Sequence, residues 1–162
     1  MLVREVMSEN PATLTPDRPV REAARLMEEH DCGCIPVEDP GSHRLLGVVT
    51  DRDIAVRVVG AERAPDTPVR EAMSTDPSCC RADDDVHQVE RIMAERQVRR
   101  VPVIDQNGRC VGMVSMADLA RVAEEEGEVD DRELALVVEC ISEPNGESRR
   151  EVEVGERPSH RR

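Results

Sequence analysis

Residues 45–54 read LLGVVTDRDI, and residues 110–119 read CVGMVSMADL, which is the same pattern in a second copy. Each copy is a short apolar run that ends in a hydroxyl residue, Thr50 or Ser115. An Asp follows three positions later, and apolar residues then continue at helical spacing. This order predicts a β-strand that runs directly into the N-terminus of a helix.

The hydroxyl residue and the Asp three positions later admit two interpretations, which the sequence leaves open. They resemble a capping box, in which the hydroxyl accepts from a backbone N–H group of the first helical turn. The same N–H groups and the positive end of the helix dipole also suit a phosphate, while the Asp accepts a hydrogen bond from a sugar hydroxyl. The pairs concerned are Thr50 with Asp53, and Ser115 with Asp118.

The repetition extends over most of the chain. Residues 3–8, VREVMS, return as VREAMS at 69–74, and the Ile-Pro-Val of 35–37 returns as Val-Pro-Val at 101–103. An amphipathic helix precedes each Pro-containing strand, and Asn-Gly after the second predicts a hairpin turn of the primed type. Each unit therefore reads β-α-β-β-α, and two units with half their faces unburied are expected to pack on each other.

We therefore predict an α/β (α+β) fold in which two repeats pack with pseudo-two-fold symmetry. The predicted boundaries are 1–60 for the first repeat, 61–68 for a linker, 69–126 for the second repeat, 127–142 for a short C-terminal helix and 143–162 for a disordered tail.

The composition disfavours several functional classes. The 162 residues contain no aromatic side chain, and 22 Arg without any Lys oppose 35 acidic residues, so the net charge is −13. Sequence-independent binding to nucleic acid, or binding to an anionic membrane, is therefore not expected. No stretch approaches the roughly 18 apolar residues that a bilayer span needs, and the N-terminus lacks the apolar core of a signal peptide. We expect a cytoplasmic protein.

The cysteines suggest reduced thiols rather than disulfides or a metal site. None forms a Cys-x-x-Cys pair, and small buried thiols are the commoner fate of such residues. We expect no bound metal, but a thiol-based or zinc-based redox sensor remains an alternative. The six residues are Cys32, Cys34, Cys79, Cys80, Cys110 and Cys140.

Taken together, these motifs resemble a tandem pair of cystathionine-β-synthase (CBS) domains, over roughly residues 1–125. The motifs are the Val-x-x-x-Met-Ser start, the Ile/Val-Pro-Val strand and the Gly-x-Val-Thr/Ser-x-x-Asp junction, each present twice. In detail the chain is similar to small stand-alone bacterial CBS-pair proteins of the hypoxic-response type, which links it to stress response. The resemblance implies a regulatory module that binds AMP, ADP, ATP or a related adenosyl compound, with AMP or ATP favoured, in a cleft between the repeats.

The resemblance also assigns roles to individual residues. Ser115 and Asp118 match the hydroxyl and the ribose-binding carboxylate of the family, and Arg100 matches a basic residue that contacts phosphate. The first repeat carries Gly33 and Cys34 where the second has Arg99 and Arg100, so we predict that a nucleotide binds at the second-repeat site first. The full predicted site, which includes aliphatic residues expected to flank an adenine ring, is Arg99, Arg100, Val101, Pro102, Val103, Ser115, Asp118, Thr50, Asp53, Ile35, Pro36 and Val37.

Catalysis is not predicted, because the sequence has neither a Walker loop nor a Gly-x-Ser-x-Gly motif, and its histidines share no spacing. The resemblance implies a homodimer, since CBS pairs commonly assemble into a flat disc. Three hypotheses remain: a nucleotide sensor, a ligand-free scaffold that regulates an unidentified protein partner, and the thiol or zinc sensor.

Overall fold

The computed structural model describes residues 1–126 and 131–142. The described chain folds into two mixed helix-and-sheet units, as the predicted α+β class requires. Its helices and strands are, in order, α1 (Val3–Val6), β1 (Ser8–Glu9), α2 (Val20–Glu29), β2 (Cys34–Glu38), β3 (Leu45–Thr50), α3 (Asp51–Ile54, continued by a π-helical turn at Ala55–Val59), a 3₁₀ turn (Val69–Glu71), β4 (Ser74–Thr75), α4 (Val86–Arg96), β5 (Arg100–Ile104), β6 (Cys110–Ser115), α5 (Met116–Glu126) and α6 (Asp131–Ser142).

The strands form two three-stranded sheets that exchange their shortest members. One sheet has the order β2-β3-β4 and the other has the order β1-β6-β5. Strand β1, at the start of the first repeat, pairs with β6 of the second repeat, and β4 pairs with β3 of the first. The lead segment of each repeat, defined here as residues 1–9 and 67–75, thus completes the sheet of the other repeat.

Matching contacts hold the two lead segments in place. The backbone N–H of Val3 donates to the carbonyl oxygen of Asp84 (2.9 Å), and the N–H of Val69 donates to that of Arg18 (2.8 Å). Side chains repeat this symmetry, because Arg4 pairs with Asp83 as Arg70 pairs with Asp17. Every one of these partners lies 66 positions from its counterpart, so a single contact pattern is used twice.

Each lead segment also supplies apolar side chains to the core of the other repeat. Val69 and Ala72 are fully buried in the core of the first repeat, and Val3 is fully buried in that of the second. Burying a Val side chain is worth about 1.5–3 kcal/mol, so the exchange ties the stability of each repeat to the other.

Glycines in the central strands permit this close approach. A Cβ atom at Gly47 would lie 2.4 Å from the carbonyl oxygen of Ser74, and one at Gly112 would lie 2.6 Å from Met7 Sδ. A glycine within a strand often marks such a point, where another backbone approaches closely.

The C-terminal helix α6 has no counterpart in the first repeat, and it covers α4. Val137 of α6 is buried in the second core, and Gln97 Nε2 donates to the carbonyl oxygen of Cys140 (3.2 Å). Beneath this layer Glu90 of α4 is only 2% exposed, whereas the equivalent Ala24 of α2 is exposed. Glu90 Oε2 contacts His87 Nδ1 at 2.8 Å, but Glu90 Oε1 has no hydrogen-bond partner among the described residues.

The hairpin after β5 differs from the predicted primed turn. Asp105 Oδ1 accepts from the backbone N–H groups of both Asn107 and Arg109 (2.8 Å each), so the turn closes on Asp105. Among residues 105–109 only Gly108 has a positive φ (79°), whereas a primed turn of type I′ needs two such residues. The Asp side chain therefore selects an ordinary turn followed by a glycine bulge.

Within residues 1–126 and 131–142, no helix is both long and apolar enough to cross a membrane. The predicted tail at 143–162 lies outside the described residues.

Candidate functional site

Both strand-to-helix junctions form the capping arrangement that their sequence pattern suggests. Thr50 N donates to Asp53 Oδ2 (2.9 Å) while Asp53 N donates to Thr50 Oγ1 (3.1 Å). In the second repeat Ser115 N donates to Asp118 Oδ2 (2.8 Å), and Asp118 N donates to Ser115 Oγ (3.3 Å). The capping interpretation is therefore correct for both pairs, and it leaves one carboxylate oxygen, Oδ1, on each Asp for other partners.

Different arginines approach these remaining oxygens. Arg121 Nη2 donates to Asp118 Oδ1 (2.7 Å), while Arg57 Nη1 lies 3.5 Å from Asp53 Oδ1. Arg57 also donates to the carbonyl oxygens of Ala72 (2.6 Å) and Met73 (3.1 Å), which belong to the second lead segment. The first junction is thus linked to the exchanged strand, and a carboxylate oxygen that accepts from Arg can still accept from a ligand hydroxyl.

Alternate residues of each strand point either into the core of their repeat or to the opposite side of the sheet, as the two-residue period of a strand requires. The side of each sheet opposite to the core is called the inner face here. Side chains of Ile35, Val37, Val101 and Val103 are 0–1% exposed within the two cores. This placement differs from their predicted contact with an adenine ring. Because alternate residues point to opposite sides, the inner face belongs instead to their neighbours.

Cross-strand pairing identifies those neighbours, since directly opposed residues share one face. In the second repeat Arg100 is opposite Ser115 and Pro102 is opposite Met113. In the first repeat the corresponding pairs are Cys34 with Thr50 and Pro36 with Val48. Met113 and Val48, both partly buried, were missed by the sequence analysis. The signal was available, because each lies two positions before the hydroxyl residue of its junction.

Arg100 reaches from the second repeat to the first. Its Nη2 lies 3.1 Å from the position that a Cβ atom would take on Gly33, and Asp51 Oδ2 lies 2.7 Å from that position. Arg100 is partly buried, and among the described residues its side chain forms no hydrogen bond or ion pair. Arg99, the preceding residue, is exposed. The absence of a side chain on Gly33 provides the space that the guanidinium uses.

The cysteines on and near this face have the properties of unreactive thiols. Burial raises the pKa of Cys34 to about 12, although the nearby Arg100 charge opposes the shift. Burial likewise raises the pKa of Cys80 to about 12 and that of Cys79 and Cys110 to about 11. The thiolate is the reactive form, so these four thiols do not have the low pKa of a redox sensor.

No group of three or more His, Cys, Asp or Glu side chains within the described part of the chain is placed to hold a metal ion. A groove of about 350 Å³ lies away from the junctions, beside the second hairpin and the loop before α4. It includes Arg81, Asp83 and Asn107 but none of the predicted site residues, so we do not assign the ligand site to it.

Comparison with known proteins agrees with the duplicated architecture. The CBS domain family matches residues 3–60 and again residues 69–125. The chain belongs to the CBS domain family. CBS domain-containing protein YhcV of Bacillus subtilis is 41% identical over 118 residues, which are 73% of this chain and 82% of that protein. Hypoxic response protein 1 of Mycobacterium tuberculosis is 34% identical over 119 residues, with the same two coverages.

Solved CBS structures share the fold. Hypoxic Response Protein I with two coordinated zinc ions superposes with a TM-score of 0.67 at 34% identity, covering 75% of this chain and 98% of that one. The CBS pair of protein MJ0100, in complex with 5′-methylthioadenosine and S-adenosyl-L-methionine, gives 0.68 at 27% identity with the same coverages. The present chain is thus a CBS pair of the regulatory kind, and its relatives include a protein named for the hypoxic response.

Proposed function

We propose that this CBS pair is a non-catalytic sensor that binds an adenosyl nucleotide between its repeats, with the phosphate held by Arg100. The observation that carries the proposal is the placement of Arg100. Among the described residues this partly buried guanidinium has no carboxylate partner, so it has lost part of its hydration without compensation from them. An anionic group restores charge-assisted hydrogen bonds there, which makes this position suitable for a phosphate.

The remaining groups of the inner face suit the rest of such a ligand. Asp53 and Asp118 each keep acceptor capacity for ribose hydroxyls beyond their capping bonds. Val48 and Met113 offer partly buried apolar surface for the adenine ring, and the polarizable Met sulfur adapts readily to aromatic rings. Because the Arg100 guanidinium lies against Gly33 and Asp51, the first junction is the nearer candidate for the ribose. From the sequence alone, the second-repeat site was expected to bind a nucleotide first.

Titration calorimetry with AMP and ATP at one fixed salt concentration tests the proposal. We expect Arg100→Ala to weaken binding about tenfold to a hundredfold, as the loss of one charge-assisted contact of about 1.5–3 kcal/mol implies. Cys34→Ala is the matched control at the equivalent position, and it is expected to bind as the parent does. Asp53→Asn and Asp118→Asn identify the junction that holds the ribose, each read beside a melting curve because both residues cap helices.

Three results would count against this proposal. Unchanged affinity in Arg100→Ala would remove Arg100 from the site. If the parent binds neither AMP, ATP nor S-adenosylmethionine, the protein acts instead as a ligand-free scaffold for a partner. Stoichiometric zinc, measured by elemental analysis of protein purified under reducing conditions, would favour the metal-sensor alternative.

We also propose that the protein is a homodimer formed through exposed helical surface. Val56 and Val59 follow α3 and are 60% and 69% exposed, which is unusual for large apolar side chains that lie close together on one helix. A second copy would cover them. Light scattering at tens of micromolar, on the order at which weak interfaces associate, is expected to give the dimer mass. Val56→Asp is expected to lower the measured mass towards that of a monomer. A parent protein with the monomer mass would contradict the proposal.

A further inference from the structure

The position of Asp51, close to Arg100, is a feature that the capping contacts leave unexplained. Its Oδ2 and Arg100 Nη2 lie 2.7 Å and 3.1 Å from the same point above Gly33, so the two groups are at most about 6 Å apart. Asp51 Oδ1 accepts from the backbone N–H of Arg52 (2.8 Å), while Asp51 itself is exposed. The Asp51 carboxylate therefore lies near the Arg100 guanidinium but forms no ion pair with it.

This acidic group is absent from the second junction. Residue 116, which is equivalent to Asp51, is Met, and residue 117, equivalent to Arg52, is Ala. The capping residues are conservatively matched between the two junctions, so Asp51 is not needed to start the helix. A carboxylate next to the one inner-face arginine needs another explanation, and charge selection supplies it.

We infer that Asp51 is a specificity-determining residue that limits the number of phosphate groups on the ligand. This inference rests on the proposed function, in which Arg100 contacts phosphate. One guanidinium offsets the charge of a single phosphate, but each further phosphate adds negative charge close to Asp51. The cleft therefore selects an adenosyl ligand with one phosphate or none over one with a polyphosphate chain.

The size of the effect follows from Coulomb's law. At about 6 Å in water, one pair of like unit charges repels enough to weaken binding about threefold, and a lower local dielectric constant raises this factor. We expect ATP to bind at least tenfold more weakly than AMP. Asp51→Asn, which keeps the shape and removes the charge, is expected to tighten ATP binding about three- to tenfold while changing AMP less.

The test is calorimetric titration of the full chain with AMP, ADP and ATP, in EDTA and then with Mg²⁺, at low and at high salt. The matched control is Glu95→Gln, which makes the same charge change at an exposed position on α4. The inference predicts that the ATP-to-AMP ratio of dissociation constants falls in Asp51→Asn but not in Glu95→Gln. High salt is expected to narrow the ratio in the parent, because exposed charges are screened.

Several outcomes would overturn the inference. If Asp51→Asn raises the affinity for AMP, ADP and ATP by the same factor, Asp51 disfavours any anion and does not select among the three nucleotides. Tight ATP binding that needs Mg²⁺ and is lost in Asp51→Asn would make Asp51 a metal contact rather than a repulsive one. If the parent binds AMP but Arg100→Ala does so equally well, the proposed site fails first. If the parent binds AMP through Arg100 but the ATP-to-AMP ratio of dissociation constants is unchanged in Asp51→Asn, only the inference about selectivity is wrong.

Discussion

Replacing Gly47 by Ala tests the exchange of lead segments. Gly47 sits in β3 opposite Thr75 of β4, and its new Cβ atom would lie 2.4 Å from the carbonyl oxygen of Ser74. That oxygen belongs to backbone and cannot rotate away. The exchanged strand must therefore move by about 1 Å to reach an ordinary contact distance, which is the kind of misfit that overpacking creates.

The expected loss of stability follows from what moves with the strand. Overpacking costs about 1–3 kcal/mol, and weakening the short β3–β4 ladder costs about 1 kcal/mol more. The same segment carries Val69 and Ala72, which are buried in the first core, so the strand cannot simply detach. We expect a total of about 2–4 kcal/mol, or a fall of about 6–12 °C in melting temperature for a domain of this size.

Urea unfolding followed by circular dichroism, together with thermal melting, measures this loss. Gly112→Ala is expected to cost less than Gly47→Ala, because the nearest obstacle is the flexible Met7 side chain at 2.6 Å and the Ser8 carbonyl oxygen lies at 3.1 Å. Gly41→Ala is the control, since its Cβ would meet Asp39 Oδ1 at an ordinary 3.5 Å. If Gly47→Ala is as stable as Gly41→Ala, β4 does not pair with β3 in solution and the reasoning is refuted.

Three further predictions concern burial and charge. Glu90→Leu is expected to raise stability by about 1–3 kcal/mol in thermal melts, because it removes a buried carboxylate oxygen that has no partner in the described part of the chain, and a lower melting temperature would contradict this. Arg57→Leu is expected to cost about 1–3 kcal/mol by removing its bonds to Ala72 and Met73, with the exposed Arg52→Gln as its control. At pH 8 a disulfide reagent is expected to modify exposed Cys140 rapidly and four thiols of raised pKa slowly, namely the buried Cys34 and Cys80 and the partly buried Cys79 and Cys110, with all six cysteines reacting in denaturant. Since burial raises their pKa from 9.0 to about 11–12, these thiols favour the folded state below pH 9, and that contribution is lost as the pH rises towards 12.

The local structure of the junctions could be predicted because it depends on neighbouring residues alone. A hydroxyl residue with an Asp three positions later at the start of a helix is typical of a capping arrangement, and both copies form it. The CBS family was also predictable, since its motifs recur in the same order, 66 positions apart up to the Pro-containing strands and 65 apart after the hairpin loop, which is one residue shorter in the second copy. Those motifs record contacts within and between the repeats that any member of the family must make.

The exchange of lead segments could not be predicted from the sequence. The two copies are so similar that the sequence does not show whether a lead segment packs on its own repeat or on the other one. Val3 and Val69 occupy equivalent positions, so packing each on its own repeat or on the other buries the same kind of surface. Gly47 and Gly112 indicated that a backbone approaches each central strand, but not which one. The direction of Arg100 was hidden for a related reason, since a long side chain at a strand end can reach either repeat.

The functional asymmetry that we propose for the molecule arises where the repeats differ. On a chain of net charge −13 an anionic ligand is repelled at long range, so only short-range contacts can retain it. The inner face offers one partly buried arginine without a partner among the described residues, Arg100, because the equivalent position in the first repeat is Cys34. The space for that guanidinium comes from Gly33, and the opposing charge comes from Asp51, both in the first repeat. Neither repeat alone contains the proposed site, and the exchanged strands that hold the two repeats together therefore also fix the distance between its charges.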